Sequence, residues 1–241
     1  MNYFLKKTNF GIVTAENLRT FNKPAFTLAE VLITLMIIGV VAALTIPALI
    51  NKTNDEELKS AFKKTFSDIS NASSMIKNEN GGSLASLDGC NSADRNVRNL
   101  CFMNYYAKYM GLSKICPSAG GGATMSAGCW TGSYKYLGGG SAAWLGAYGI
   151  GAMTNGGYSF SMYYDYWDCS GTVGTAISNL CATMMIDVNG NKQPNRMGKD
   201  LFSVYVTADG IKPAGIPGDG WTNTCKSSTN GTGCAADALY N

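Results

Sequence analysis

Three groups of residues in this 241-residue chain have side chains whose type and spacing could do chemistry. The first is a set of oxygen donors, Asp187, Asn189, Asn191, Asn195 and Asp200, placed at short intervals around Gly190. Carboxylate and amide oxygens recurring beside a glycine suit a hard cation such as calcium. The bidentate glutamate that closes an EF-hand loop is missing, so the likeness to that loop is loose, and a turn-rich connection without metal accounts for the same residues. The second group is eight cysteines in a chain with no histidine: Cys90, Cys101, Cys116, Cys129, Cys169, Cys181, Cys225 and Cys234. With no CxxC pair and no histidine, zinc is disfavoured. An even number of cysteines in an exported region reads as disulfides, with 105 possible pairings for eight. Pairing between sequence neighbours is the expectation: Cys90 with Cys101, Cys116 with Cys129, Cys169 with Cys181, and Cys225 with Cys234. Each staple would contribute about 2–4 kcal/mol by constraining the unfolded chain. Free thiols are the alternative in a compartment without oxidation. The third group has one member. Glu30 is the only ionisable side chain between Phe26 and Ile50, a run that is otherwise apolar or uncharged. A charge held in hydrocarbon is costly, so an intramembrane carboxylate is a functional hypothesis, set against one that merely snorkels to the interface.

None of this is a catalytic arrangement. There is no histidine, no phosphate-binding loop, no nucleophile elbow and no evident carboxylate pair. A cysteine nucleophile needs a basic partner, and these cysteines are better explained as staples. The chain is therefore not expected to be an enzyme.

The elements that must position these residues follow from hydropathy. Residues 26–50 form one apolar segment, about 38 Å long as a helix. A bilayer core is about 30 Å thick, so the segment is long enough to span it. Gly39 and Pro47 lie within it, and Pro47 is expected to break or bend the helix. Residues 1–25 carry Lys6, Lys7, Arg19 and Lys23 against Glu16. That excess of bases keeps the N-terminus cytoplasmic and sends the remainder across. The leader's four bases and one acid account for the whole net charge of +3, so the basic balance reflects topology and implies no nucleic-acid partner.

Beyond the span, residues 51–80 read as an amphipathic continuation of the helix to about residue 78. Leu58, Phe62, Phe66, Ile69 and Ile76 make one apolar stripe. Asp55, Glu56 and Glu57 come early and Lys59, Lys63 and Lys64 later, an order that suits the helix dipole and local ion pairs. Asn80-Gly81-Gly82 ends the helix. Residues 81–241 hold all eight cysteines and every glycine except Gly11 and Gly39. Within them, 111–168 reads as long surface loops with a few short aromatic strands. The aromatics there either plug a loop-rich fold or form contacts. Thr183–Val188 and Leu201–Thr207 read as strands, with Asn189-Gly190 a turn between them. Phe202, Val204 and Val206 fall on one face of the second strand, Ser203 and Tyr205 on the other. The tail after 210 reads as loop. The fold class expected is α+β: a long N-terminal helix packed on a small antiparallel sheet with long Gly- and Cys-rich loops.

A basic leader, a small residue, then Phe26-Thr27-Leu28-Ala29-Glu30 and the apolar run VLITLMIIGVVAALTIPALI resembles the prepilin signal of type IV pilins and type II secretion pseudopilins. The family usually has glycine before the cut, where this chain has Ala25. The resemblance implies cleavage between Ala25 and Phe26 by a prepilin peptidase and N-methylation of Phe26. It also implies assembly through residues 26–50, with Glu30 facing the Phe26 amine of a neighbouring subunit and Gly39 and Pro47 letting the helix adapt. The implied partners are that peptidase and methyltransferase, copies of this chain or other pilins in a helical fibre, an inner-membrane assembly platform, and lipid. The implied location is the bacterial inner membrane, single-pass, with the C-terminal domain periplasmic, and then a fibre. Some pseudopilins bind calcium in C-terminal loops, and the ring closed by Cys225 and Cys234 resembles the disulfide-bounded C-terminal loop of many pilins. Two functions stand: a fibre subunit of a pilus or a secretion pseudopilus, and a membrane-anchored binding protein that never polymerises and holds a ligand with its aromatic loops.

Overall fold

The structure, a computed structural model, describes residues 26–116, 129–130, 134–142 and 149–241. The chain divides into two units, Met1–Leu49 and Ile50–Asn241. One helix, α1 (Leu28–Glu79), runs through the boundary and is unbroken at Pro47. The break expected at Pro47 is absent; proline removes one backbone donor, and the remaining ladder of the helix continues on both sides of it.

In the first unit every residue from Phe26 to Leu49 except Ala42 is exposed. Its hydroxyls satisfy themselves locally: Thr34 Oγ1 donates to the Val31 carbonyl and Thr45 Oγ1 to that of Val41. This stretch of α1 thus shows apolar side chains all round and hides its polar groups within the helix, the composition suited to lipid or to neighbouring helices.

In the second unit the other part of α1 buries the expected stripe. Phe62, Ile69 and Ile76 have no exposed surface, and Leu58 and Phe66 pack partly against the same core. The helix ends where Gly81, at φ +68°, reverses the chain and Gly82 N donates to the Lys77 carbonyl at 2.8 Å, a closure that favours glycine. A second helix, α2 (Arg95–Ala107), was not anticipated from sequence. Its signal is short: Asp94 caps it by accepting from Asn96 N at 2.8 Å, and Phe102, Met103 and Tyr106 line its buried face. Phe102 stacks on Tyr164 with ring centroids 4.0 Å apart, and the Tyr106 hydroxyl meets Ser73 of α1 at 2.7 Å. Burial pushes the Tyr106 phenol well above its ordinary range.

The seven strands are β1 (Leu112–Cys116), β2 (Ile150–Thr154), β3 (Ser159–Tyr164), β4 (Gly171–Val173), β5 (Ile177–Asp187), β6 (Leu201–Thr207) and β7 (Gly210–Pro213). They form one antiparallel sheet in the order β1-β2-β3-β5-β6-β7, with β4 paired to the start of β5. Register lines up rows of core residues across it. Phe160, Ile186 and Phe202 make one row; Met162, Met184 and Val204 the next; Tyr164, Ala182 and Val206 a third. All nine are buried in the cluster that includes Phe62, Ile69 and Ile76 of α1, and Phe62 stacks on Phe202 at 4.1 Å. This is the expected helix-on-sheet arrangement.

Three boundaries differ from the sequence reading. The strand expected from Thr183 begins at Ile177, because β4 extends the ladder toward its N-terminal end. The tail expected as loop contains β7 and a helix, α3 (Cys234–Tyr240). The second face of β6, which holds Ser203 and Tyr205, is buried as well as the first: all seven of its residues are. Trp130, Tyr134, Met197 and Leu201 form a cluster on one part of that side, and Ile177, Leu180, Tyr205 and Ala214 another. Most described aromatics of the Gly-rich stretch therefore plug the fold, whereas Tyr166, Trp167 and Trp221 remain about 40 % exposed.

Candidate functional site

The N-terminal end of α1 is built by four residues. Thr27 precedes the first helical residue and Glu30 follows three positions later. Thr27 N and Thr27 Oγ1 both donate to Glu30 Oε2 at 2.9 Å, and Glu30 N donates back to Thr27 Oγ1 at 3.2 Å. This is a capping box, in which a threonine and a glutamate satisfy each other's end of the helix. The Thr-x-x-Glu spacing was legible in the sequence, but Thr27 was read only as part of a motif, not as the partner of Glu30. Phe26 sits just before the box and is 85 % exposed. Ala25 lies outside the described residues, as does the leader. Gly39 and Pro47 are on the exposed apolar surface, and a Cβ added at Gly39 would meet nothing within 4 Å. Packing among the described residues therefore gives no reason for glycine there.

A second constellation lies in the connection between β5 and β6. Asp187 and Asp200 are fully buried. Asp187 accepts from Tyr134 OH at 3.1 Å and from Asn189 N at 3.3 Å. Asp200 accepts from Asn195 N and Arg196 N, both at 2.6 Å. Burial, and then the neighbouring Asp200 carboxylate, push the Asp187 carboxyl up to about 8; burial raises Asp200 as well. Asn195 is 2 % exposed, and its Oδ1, like Asn189 Oδ1, is buried with no hydrogen-bond partner. So is Ser159 Oγ, from the residue paired with Asp187 across β3 and β5. Gly190, at φ +65°, turns the chain where a Cβ would come 3.0 Å from the Gly157 carbonyl.

The structure thus gathers Asp187, Asn189, Asn195 and Asp200, and leaves Asn191 exposed on the rim. It also brings in Tyr134 and Ser159, which sequence reasoning missed because they are remote in the chain and no local spacing marks them. Asp187 and Asp200, grouped in the sequence as oxygen donors, influence each other electrostatically, and the sequence did not show that both would be buried. Among the described residues no group of three or more His, Cys, Asp or Glu side chains is placed to hold a metal. Any ion here would rest on two carboxylates plus amide and hydroxyl oxygens. That donor chemistry, with buried oxygens lacking partners, fits a hard cation.

The eight cysteines form four disulfides, Cys90–Cys101, Cys116–Cys129, Cys169–Cys181 and Cys225–Cys234, with no free thiol among them. Two close short loops against the core: Cys90 is fully buried, and Cys234 anchors the first residue of α3. Lys199, beside Asp200, donates to both carboxylate oxygens of Asp55 on α1 at 2.5 and 2.7 Å.

A capped, apolar N-terminal helix that continues into the packing helix of a disulfide-stapled α+β domain fits membrane anchoring by its length and composition. Residues 21–46 match the prokaryotic N-terminal methylation motif. That match supports a type IV pilin-like or pseudopilin reading of the chain. No curated protein and no solved structure matches the chain.

Proposed function

We propose that the protein is a fibre subunit of a type IV pilus or a type II secretion pseudopilus, cut between Ala25 and Phe26, methylated on Phe26, and assembled through α1. The observation that carries this reading is the methylation motif joined to an α1 segment whose apolar side chains are exposed on every side among the described residues. The helix is long and apolar enough to cross a membrane, which suits an inner-membrane store of subunits before assembly. The bacterial peptidase that cuts such leaders, an assembly platform and other copies of the chain are the partners this reading requires. Mass spectrometry of the mature protein tests it. The expected N-terminus is N-methylated Phe26; a mature chain that retains residues 1–25 would sink the proposal and favour the anchored binding protein.

The orphaned Asn189 Oδ1 and Asn195 Oδ1 favour a second component, a calcium ion held with Asp187 and Asp200. Its role would be structural, neutralising two buried carboxylates and bracing the β5–β6 connection. At tenfold over its Kd, calcium would add about 1.4 kcal/mol, or roughly 3–6 °C in Tm for a domain of this size. Thermal melting with calcium, with magnesium and with chelator reads this directly. The rise should be absent in Asp200→Asn; equal melting with calcium and with chelator in the unaltered protein removes the ion from the account.

A further inference from the structure

The exposed side of α1 in the second unit carries two blocks of charge that form no ion pair among the described residues, with Glu57 at the edge of a cleft it lines with Lys192, Arg196 and Lys199. Glu56 and Glu57 are exposed, as are Lys63 and Lys64. The ion pairs formed among the described residues are Arg95–Asp165, Lys108–Glu79 and Lys199–Asp55, and none uses these four side chains. The local Glu-to-Lys pairing expected from spacing therefore does not close. Asp55, the third acid of the block, is drawn away by Lys199. Glu56 and Lys63 are seven residues apart, as are Glu57 and Lys64. Seven residues make almost two turns, so each acid and its base share a face, but they stand about 10.5 Å apart along the axis, too far for contact.

This rests on the fibre reading above: we propose that the two blocks form a ladder between α1 helices of neighbouring copies, the Glu56–Glu57 block of one against the Lys63–Lys64 block of the next. Copies inserted in one membrane orientation run parallel. Two parallel helices in level register would set acid against acid and base against base, which is repulsive. Displaced by about 10.5 Å, seven residues at 1.5 Å each, they set acid against base. In that arrangement each copy offers its acids to one neighbour and its bases to the other. Such a contact is heterologous and does not close on itself, so it propagates as a filament. The charge pattern thus selects staggered over level association and contributes register, the usual role of complementary surface charge.

Charge reversal tests this in full-length protein expressed with a pilus-assembly system, with sheared fibres quantified. Glu56→Lys with Glu57→Lys should lower fibre yield by about tenfold or more, because like charges then meet in the staggered contact. Lys63→Glu with Lys64→Glu should do the same. The four changes together restore complementarity and should return the yield to within about twofold of the unaltered chain, with the same Tm throughout because all four side chains are exposed. A quadruple variant no better than either double, or doubles that assemble normally, would overturn the ladder while leaving the fibre reading intact. Absence of fibres from the unaltered chain, with the assembly system producing its own, would instead remove the fibre reading and this inference with it.

Discussion

Glu30→Gln is expected to stop fibre formation as completely as Glu30→Ala, lowering yield on the order of 100-fold, the effect of leaving one member of a buried pair without its counter-charge. The comparison matters because Glu30 has two roles that a simple deletion would confuse. Within the chain its Oε2 accepts two hydrogen bonds from Thr27 and completes the helix cap. Gln keeps an oxygen at that position and can serve a capping box equally well. What Gln lacks is the charge that would meet the methylated amine of Phe26 in a neighbouring copy. In low dielectric such a pair attracts strongly, while either charge alone is unfavourable. Neither variant touches the second unit, so its Tm and disulfides should match those of the unaltered protein. If Gln assembles normally and Ala does not, the cap and not the charge is what assembly needs. If both assemble normally, Glu30 has no part in assembly.

Phe62→Ala should be the most damaging single truncation on α1. Phe62 has no exposed surface, stacks on Phe202 at 4.1 Å and touches Phe66 edge-on at 6.0 Å. It is the point where α1 meets the row Phe160–Ile186–Phe202 that crosses the centre of the sheet. Removing a buried phenyl costs about 3–5 kcal/mol through lost burial and the cavity left behind. At roughly 2–4 °C per kcal/mol for a domain of this size, the Tm should fall by roughly 6–20 °C. Full-length protein in detergent, with disulfides oxidised and melting followed by near-ultraviolet circular dichroism, gives the number. Phe66→Ala, at a partly buried site, should lower Tm by less than half as much. Similar small shifts for both variants would mean that α1 is not an integral wall of the core, and that the sheet and its disulfides hold the domain without it.

Some of this architecture was legible because its cause is local. The apolar run 26–50 reads from composition, and the stripe Leu58, Phe62, Phe66, Ile69 and Ile76 reads from helical period, as does the stop at Asn80-Gly81-Gly82. Strand β6 was found with its ends in place, since alternation along Leu201–Thr207 separates Phe202, Val204 and Val206 from Ser203 and Tyr205. The helix α2 was missed because its apolar face holds only Phe102, Met103 and Tyr106 and its cap is a single Asp94. The tail helix α3 was missed for a similar reason: in CAADALY the buried side chains are Cys234 and three alanines, which carry little amphipathic contrast.

By itself, then, the sequence determined which segment is long and apolar enough to cross a membrane, where the methylation motif lies, which charge sits in the apolar run, and which helix face must be covered. These depend on neighbours within a few turns, and short-range spacing encodes them. Only the tertiary structure decided that Asp187 and Asp200 share one buried patch with Tyr134, that Asn189 and Asn195 keep oxygens without partners, and that β6 is covered on both faces. It also decided that Asp55 turns to Lys199, while Glu56 and Glu57 form no ion pair among the described residues. The reason is physical: burial and pairing between residues far apart in the chain follow from how β5, β6 and the Gly-rich loops stack, and no local period records that stacking.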